Sequence, residues 1–256
     1  QVAVSVAKRD RVGCAVYQPQ DDPYNSDRIA VLADLRRAVV RDELVLYYQP
    51  QSDLATGFVR GVEALVRWRH PSRGLVPPDQ FIPLAEQTGL IGSITDWVLE
   101  SALCQSRIWR TAGMPLNMGV NLSARSLIEP TLIDRVRRLL LSQDVAPSSL
   151  ILEITESAVM SDPVRSLETL VQISEMGVKL AIDDFGTGYS SLAYLTRMPV
   201  HDVKIDKSFV LTMMHNENDA AIVRSTIDLA HNLGLTVTAE GVETQEVCDQ
   251  LLALGC

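Results

Sequence analysis

The sequence predicts an α/β fold in which parallel strands, each followed by a helix, close into a barrel. From residue 43 onward, short apolar runs with strand character alternate with helical stretches. This alternation alone is compatible with an open, doubly wound sheet as well as with a barrel. A second observation favours the barrel, because polar residues stand at the ends of several different strands, and strand ends converge on one mouth in a closed sheet.

A helix opens the main domain, which we assign to residues 26–256. Ser26 is a suitable N-cap, and Asp27 suits the first helical turn. The apolar positions of this helix recur at three- and four-residue steps: Ile29, Leu32, Leu35 and Val39. Residues 1–25 contain a predicted strand at 12–17 and then a polar linker, and they are too few to form a domain alone.

Seven strands and five further helices follow the first helix. The predicted strands are 44–48, 59–68, 116–122, 150–155, 178–182, 202–205 and 235–238. The predicted helices are 94–112, 131–143, 163–176, 218–232 and 244–254. Several of these strands are apolar nearly throughout, as parallel strands covered on both faces are, and Gly177 and Gly234 precede two of them as helix C-caps.

Polar residues fall within, or at the C-terminal ends of, six predicted strands. They are Glu63, Asn121, Glu153, Asp183 with Asp184, Lys204 and Glu240. A carboxylate at the end of an apolar strand is costly to bury unpaired, so converging carboxylates require cations. Oxygen ligands without Cys or His indicate Mg²⁺ or Mn²⁺.

Each of these residues also has a purely structural interpretation. A single Asp or Glu that ends a strand is often the N-cap of the next helix, and Asn121 could have that role. Asp184 could shape a turn with the Phe-Gly-Thr-Gly segment that follows it, and Lys204 could lie on the surface of a half-buried strand. Capping does not explain an acidic or amide residue on strand after strand, so the cation site remains the favoured hypothesis.

The composition argues against several functional classes. The 256 residues carry 23 Lys and Arg against 32 Asp and Glu, and the net charge of −9 disfavours DNA as a partner. The 4 cysteines have no spacing typical of a zinc site or a disulfide framework. No apolar run is long enough to span a bilayer, and the first residues do not resemble a signal peptide. We therefore expect a cytoplasmic segment of a longer protein, which regions outside the segment could tether to a membrane.

Ordered motifs across residues 28–256 resemble one known family. Residues 63–68, Glu-Ala-Leu-Val-Arg-Trp, are similar to the signature of the EAL-domain family of cyclic di-GMP phosphodiesterases. Further motifs follow in the order of that family, at 48–50, 81–86, 120–123, 152–156, 183–191, 203–206 and 239–243. The resemblance implies a TIM-like (β/α)8 barrel with an irregular first strand, two bound Mg²⁺ or Mn²⁺ ions, and hydrolysis of cyclic di-GMP to linear pGpG.

The resemblance also implies roles for individual residues. The ligands of one metal would be Glu63, Asn121, Glu153 and Asp183. Asp183 would bridge to a second ion held by Asp184, which Glu240 would reach directly or through water. Lys204 would hold the attacking water, and Glu240 would be the general base.

Nucleotide contacts and loop contacts are implied in the same way. The residues matched to nucleotide binding are Gln49, Leu65, Arg67 and Asp206. Of these, Arg67 would contact phosphate or ribose and Asp206 a guanine edge. Glu156 and Glu243 would position the loop that follows Asp184. The family also uses that loop in dimerisation, so a homodimer is expected.

The chain differs from the family pattern at both ends. Family members continue beyond the position of Cys256 into a last strand and a Gln-Gly-Phe or Gln-Gly-Tyr segment, so a truncated C-terminal end is expected. Residues 5–17 resemble the end of a GGDEF diguanylate cyclase domain. We therefore expect residues 1–25 to be the tail of such a domain and its linker.

An active phosphodiesterase is the favoured function, because every matched metal and base position carries the residue that the chemistry needs. The alternative is a catalytically silent module that senses cyclic di-GMP. A third hypothesis is a barrel enzyme that acts on a carboxylate substrate through Mg²⁺ and an inward lysine. We also expect Ca²⁺ to occupy the site and to inhibit hydrolysis.

Overall fold

The structure is a computed structural model, and it describes residues 26–188 and 192–256. The strand predicted at 12–17 and the tail assigned to residues 1–25 lie outside the described residues, so those assignments stay predictions. The described residues form two compact units. One contains the first helix, the residues up to Val45 and residues 67–90, and the other contains residues 46–66 and 91–256.

The smaller unit is built around aromatic side chains. Its helices and strands are α1 (Ser26–Ala38), the start of β1 (Leu44–Ser52), the end of β2 (Val59–His70), β3 (Gly74–Val76) and α2 (Pro78–Thr88). β3 pairs antiparallel with the end of β2. Trp68 and Phe81 are fully buried with their rings 5.9 Å apart, and the Trp68 indole Nε1 donates to Glu43 Oε2 at 3.2 Å.

The larger unit alternates strands and helices. Its strands after β2 are β4 (Asn117–Asn121), β5 (Leu150–Thr155), β6 (Lys179–Phe185), β7 (Asp202–Ile205) and β8 (Thr236–Ala239). Its helices are α3 (Ile91–Thr111), α4 (Ala124–Leu127), α5 (Leu132–Gln143), α6 (Glu156–Ser161), α7 (Pro163–Glu175), α8 (Leu192–Leu195), α9 (Lys207–Thr212), α10 (Glu217–Asn232) and α11 (Gln245–Ala253), with a 3₁₀ turn at Pro147–Ser149.

The strands hydrogen-bond in the order β1-β2-β4-β5-β6-β7-β8, and every pair from β2–β4 to β7–β8 is parallel. Parallel neighbours joined by helices are the predicted arrangement. Their C-terminal ends therefore lie along one edge of the sheet.

Alternate residues of the last two strands face an apolar cluster. Ile205 of β7 is fully buried, and Val237 and Ala239 of β8 pack against the same cluster. The cluster also contains buried residues of α9, α10 and α11 and the residue after α9: Val210, Met213, Val223, Ile227, Val247 and Leu251. Because side chains alternate along a strand, Lys204 and Thr238 lie on the other face.

All seven strands predicted from residue 44 onward are present, with boundaries shifted by a few residues. β6 reaches Phe185, so Asp183 and Asp184 lie within the strand and not after it. Helix α2 has no counterpart among the predicted helices, because its internal Pro83 interrupts the helical pattern. Within residues 26–188 and 192–256, no helix is both long and apolar enough to cross a membrane.

Candidate active site

The strand register brings the predicted polar residues of the larger unit together. Glu153 of β5 is aligned with Asn121 of β4, and Thr155 of β5 with Asp183 of β6. Glu63 of β2 is aligned with Gly119 of β4. Since neighbouring parallel strands are about 4.8 Å apart, these side chains are within reach of one another.

Lys204 of β7 lies at the centre of the group. Its side chain is 2% exposed, and its Nζ contacts four carboxylates. The distances are 3.0 Å to Glu63 Oε2, 2.7 Å to Glu153 Oε2, 3.1 Å to Asp183 Oδ1 and 2.7 Å to Glu240 Oε1. Lys204 therefore does not lie on the surface, and that structural interpretation is wrong. We call these five residues, together with Asp184, the acidic cluster.

One ammonium does not balance the carboxylates that surround it. Burial acts to lower the pKa of Lys204, but Glu153, Asp183, Glu63 and Glu240 together raise it well above its usual value. Burial raises the pKa of Glu153 to about 8, and the neighbouring Glu63 and Asp183 act in the same direction against the attraction of Lys204. A cluster with excess negative charge favours the uptake of further cations.

The Asp183–Asp184 pair forms a bent end to β6. Asp184 has a positive φ of 52°, and its carbonyl oxygen accepts hydrogen bonds from the Thr187 amide at 3.3 Å and the Thr187 hydroxyl at 2.8 Å. The predicted turn is therefore present. It does not exclude a ligand role, because one side-chain oxygen each of Asp183, Asp184 and Glu240 lie within 4.8 Å of one another.

These three carboxylates suit a divalent cation. Their donor atoms are hard oxygens in a compact group, which is the chemistry that Mg²⁺ and Mn²⁺ require. Burial raises the pKa of Asp184, and Asp183 and Asp206 raise it further. Burial also raises the pKa of Glu240, although Lys204 opposes this. A cation there would relieve the repulsion between the carboxylates.

Asn121 faces the site and does not cap a helix. Its Nδ2 donates to Glu63 Oε1 at 2.7 Å. The N-cap of the following helix, α4, is Ser123, whose hydroxyl accepts from the Ser126 amide at 3.1 Å. The capping interpretation of Asn121 is therefore wrong, and its side chain is hydrogen-bonded to a member of the acidic cluster.

Asp206 has a structural contact that the sequence did not indicate. Its carboxylate accepts a hydrogen bond from the Ser208 amide at 3.0 Å, so Asp206 is the N-cap of α9. The carboxylate also contacts the Ser208 hydroxyl. Burial acts to raise the pKa of Asp206, but these hydrogen bonds and one with Asp184 lower it. Asp206 thus lies beside the acidic cluster.

The other predicted site residues are Gln49, Leu65, Arg67 and Glu243. Gln49 is exposed on β1, Leu65 is half-buried on β2, and Glu243 is exposed between β8 and α11. Arg67 is half-buried and belongs to the smaller unit. The nucleotide roles of Gln49, Leu65 and Arg67 and the loop role of Glu243 stay predictions.

Glu156, the first residue of α6, lies beside the loop after β6. A Cβ atom added to Gly188 would be 3.4 Å from Glu156 Oε2. The predicted contact between Glu156 and this loop is thus compatible with the structure. Residues 189–191, which complete the predicted dimerisation loop, lie outside the described residues.

Sequence reasoning missed two residues near the acidic cluster. A Cβ added to Gly119 would lie 2.3 Å from Glu153 Oε1, so the glycine leaves room for that carboxylate. Asp202 of β7 lies two residues before Lys204 on the same face of the strand and hydrogen-bonds to β8. Neither residue belongs to a motif, and only the register between strands reveals them.

Fold and site together define the class of protein: an α/β enzyme domain with a cluster of carboxylates that could hold a cation at the carboxyl ends of parallel strands. The chain belongs to the EAL domain family, whose model matches residues 32–256. The family assignment made from the motifs is therefore confirmed. None of the comparisons addresses the GGDEF resemblance of residues 5–17, which stays a prediction.

Curated relatives and solved structures agree with this assignment. The bifunctional diguanylate cyclase/cyclic di-GMP phosphodiesterase MucR of Pseudomonas aeruginosa is 47% identical over 247 residues, which are 96% of this chain and 36% of that protein. The cyclic di-GMP phosphodiesterase PA2567 of the same organism is 39% identical over 250 residues, 97% of this chain and 43% of that protein. The chain thus spans about a third to two fifths of these relatives.

A solved complex of the MucR phosphodiesterase with c-di-GMP matches with a TM-score of 0.86 and 50% identity, covering 89% of this chain and 92% of that one. A structure of the EAL enzyme Bd1971 bound to cAMP and cyclic di-GMP matches with a TM-score of 0.85 and 33% identity, covering 90% of this chain and 63% of that one. The predicted TIM-like α/β fold class is confirmed by this likeness.

Proposed function

We propose that this domain is a metal-dependent phosphodiesterase that hydrolyses cyclic di-GMP to linear pGpG. The observation that carries the proposal is the acidic cluster itself, in which Lys204 contacts four carboxylates contributed by β2, β5, β6 and the end of β8. Relatives named as cyclic di-GMP phosphodiesterases, at 47% and 39% identity, support the choice of substrate.

The metal would be Mg²⁺ or Mn²⁺, with two ions in the site. One ion would be held by Glu63, Asn121, Glu153 and Asp183, and the other by Asp183, Asp184 and Glu240. The mutual proximity of Asp183, Asp184 and Glu240 supports the second set. When bound by these residues, the ions would lower the pKa of the attacking water and would stabilise negative charge on the phosphodiester.

The remaining steps belong to the side chains. Lys204 Nζ would donate a hydrogen bond to the attacking water and hold it in line with the scissile P–O bond. Glu240, whose Oε1 is 2.7 Å from Nζ, would accept the proton of that water. Water attack then forms one P–O bond and breaks the P–O bond to one ribose, whose oxygen takes up the proton from Glu240 and becomes a hydroxyl, so the cyclic dinucleotide opens.

The negative phosphodiesters of the substrate need positive or hydrogen-bonding partners in an acidic domain. The residues that would contact the nucleotide as a whole are Gln49, Leu65, Arg67 and Asp206. Arg67 would bind phosphate or ribose through its guanidinium group, and Asp206 would accept from a guanine edge. Glu156 and Glu243 would position the loop after Asp184.

The direct test is incubation of the purified domain with cyclic di-GMP and Mg²⁺ or Mn²⁺, followed by chromatography of the products. We expect pGpG from the wild type and none from Glu63→Ala, which loses an anionic ligand. Exposed Glu168 gives a matched control, because Glu168→Ala also removes a carboxylate but on α7. Wild-type turnover by Glu63→Ala at low metal concentration would contradict the assigned site.

The alternative is a catalytically silent sensor of cyclic di-GMP. Binding of the nucleotide without any pGpG in Mg²⁺ or Mn²⁺ would favour that function. Failure to bind the nucleotide with either ion would contradict both functions for this domain.

Ca²⁺ should bind and inhibit. It accepts 6 to 8 oxygen ligands at about 2.3–2.6 Å, whereas Mg²⁺ demands near-octahedral geometry at about 2.0–2.1 Å. The larger ion would therefore hold the nucleophile less tightly and acidify it less. We expect competitive loss of hydrolysis on addition of Ca²⁺, with nucleotide still bound. Equal turnover with Ca²⁺ as the sole cation would contradict the two-ion proposal.

We also propose the wider context of the domain. It would form a homodimer through the loop after Asp184, follow a GGDEF-like domain in its parent protein and act in the bacterial cytoplasm. Support for a second domain comes from MucR, which is named as a bifunctional cyclase and phosphodiesterase. Size-exclusion chromatography with light scattering, with and without cyclic di-GMP, tests the dimer.

A further inference from the structure

A carboxylate bridge joins β7 and β8 on the face that carries Lys204. Asp202 Oδ1 accepts a hydrogen bond from the hydroxyl of Thr236 at 2.7 Å, and Asp202 Oδ2 accepts one from the hydroxyl of Thr238 at 2.9 Å. Thr236 is the residue aligned with Asp202 in the parallel ladder, and Thr238 is aligned with Lys204. One side chain of β7 thus binds two successive side chains on one face of β8.

Nothing in the proposed chemistry uses this bridge, in which Asp202 and Thr238 are half-buried and Thr236 is exposed. Burial raises the pKa of Asp202 because it disfavours the charged form, and the hydrogen bonds from both threonines oppose this effect. β7 and β8 have four residues each, so their backbone ladder is short. Two additional side-chain hydrogen bonds are a substantial part of the contact between these strands.

We propose that Asp202 is a positioning residue, which fixes β8 so that Glu240 reaches Lys204. Glu240 directly follows β8, and its amide donates to the Ile205 carbonyl at 3.1 Å. A slip of β8 by one residue would move Glu240 by about 3.3 Å along the strand. That exceeds what the 2.7 Å contact between Glu240 and Lys204 tolerates.

The bridge predicts which substitutions preserve function. A threonine hydroxyl both donates and accepts, so the Oδ1 and Nδ2 of an asparagine can bond to the two threonines. Asp202→Asn therefore keeps the bridge and removes only the charge. Asp202→Ala removes both hydrogen bonds, and Thr238→Val removes one of them with a side chain of similar shape.

This inference rests on the proposed function, so the test measures metal binding as well as hydrolysis. The steady-state rates with cyclic di-GMP and Mn²⁺ give kcat and KM, and calorimetric titration with Mn²⁺ alone gives the affinity. Asp219→Ala is the matched control, because half-buried Asp219 also accepts a threonine hydroxyl, that of Thr212 at 2.6 Å, between α9 and α10.

We expect Asp202→Ala to lower kcat by about tenfold or more, since small misplacements of a reacting group cost one to two orders of magnitude. KM should change by less than about twofold, and Mn²⁺ affinity should fall because Glu240 moves. Asp202→Asn should stay within about threefold of the wild-type kcat, and Asp219→Ala should match the wild type. Rescue by asparagine distinguishes positioning by hydrogen bonds from a role of the charge.

Three results would overturn the inference. The first is a wild-type kcat and Mn²⁺ affinity in Asp202→Ala, and the second is an Asp202→Asn variant as defective as Asp202→Ala. The third applies if circular dichroism shows that Asp202→Ala does not fold. In that case an unchanged kcat in Thr238→Val would overturn the inference. A wild type without hydrolysis would contradict the proposed function instead, and the Mn²⁺ affinities of the variants would still decide the role of Asp202.

Discussion

The two faces of β7 and β8 differ in chemistry although the same two four-residue strands form both. On one face, Ile205, Val237 and Ala239 pack into an apolar cluster with α9, α10 and α11. On the other face, Asp202 and Lys204 pair with Thr236 and Thr238, and the acidic cluster begins. Alternation along a strand thus separates the residues that stabilise the fold from those that carry charge.

The two faces also contribute to stability with opposite sign. Burial of apolar surface stabilises by roughly 25 cal/mol per Å². Taking an ion out of water costs several kcal/mol, and the attraction of a partner offsets that cost only when the charges are well matched. In the acidic cluster four carboxylates share one ammonium. The apolar face therefore stabilises a site that is unfavourable by itself, and substitutions on the two faces should have different consequences.

The largest effect is expected for Lys204→Met. This change leaves four carboxylates without their cation, and removal of one partner from a buried ion pair typically destabilises by about 3–5 kcal/mol. The free energy of unfolding, from urea titration in EDTA, should fall by that amount, and hydrolysis should be lost. Mn²⁺ should restore part of the stability, because cations that bind the folded state stabilise it.

Lys179 gives the matched control for this prediction. It is a half-buried lysine on β6, and Lys179→Met should change the unfolding free energy far less than Lys204→Met does. Equal free energies of unfolding of Lys204→Met and the wild type in EDTA would show that Lys204 does not offset the repulsion between the carboxylates.

The next effect concerns the apolar face. Ile227 of α10 is fully buried in the cluster. Ile227→Ala should therefore lower the unfolding free energy by about 2–5 kcal/mol. Its kcat at a temperature well below the unfolding transition should stay close to that of the wild type. A large loss of kcat in fully folded protein would mean that the two faces are not independent.

Glu240→Gln tests the charged face without a large change in shape. Loss of the general base should lower kcat by about a hundredfold, which corresponds to about 2.7 kcal/mol of barrier. Stability in EDTA should fall little, because one of four carboxylates around Lys204 is lost and their mutual repulsion decreases. Unchanged kcat with much weaker nucleotide binding would instead make Glu240 a substrate-positioning group.

The strands and the residues of the acidic cluster could be predicted because both depend on local pattern. Parallel strands covered on both faces give continuous apolar runs, so the polar residues that interrupt them, such as Glu153 and Lys204, are conspicuous. The EAL-family motifs occur along the chain in the order of that family, and this resemblance implied roles for the individual residues.

The contacts of Asp202 and Gly119 could not be predicted, because they depend on tertiary structure. In the sequence, Asp202 is an ordinary polar residue at the start of a strand. Only the strand register shows that it is aligned with Thr236. In the sequence, Gly119 is a residue that weakens a strand. Only the structure shows that the Glu153 carboxylate lies beside it. The three-residue strand β3 carries too few residues for any period to show, and Pro83 interrupts the helical pattern of α2.

The smallest effect is expected for Glu156→Ala, which lies on α6 and belongs to neither face of β7 and β8. Glu156 is half-buried at the start of α6, and its Oε2 lies 3.4 Å from the position of a Cβ on Gly188. It can therefore accept hydrogen bonds from the loop that follows Asp184. Its removal should loosen the loop and shift Asp183 and Asp184, although no ligand is lost. We expect kcat to fall by about tenfold, in line with misplacement of reacting groups.

Limited proteolysis should show faster cleavage after β6 in Glu156→Ala. The control is Glu168→Ala, which changes an exposed glutamate of the neighbouring α7 and should match the wild type in both measurements. Normal kcat together with an unchanged cleavage pattern would show that the loop holds its place without Glu156, and that the arrangement of the two aspartates depends on the bend at Asp184 and its bonds to Thr187.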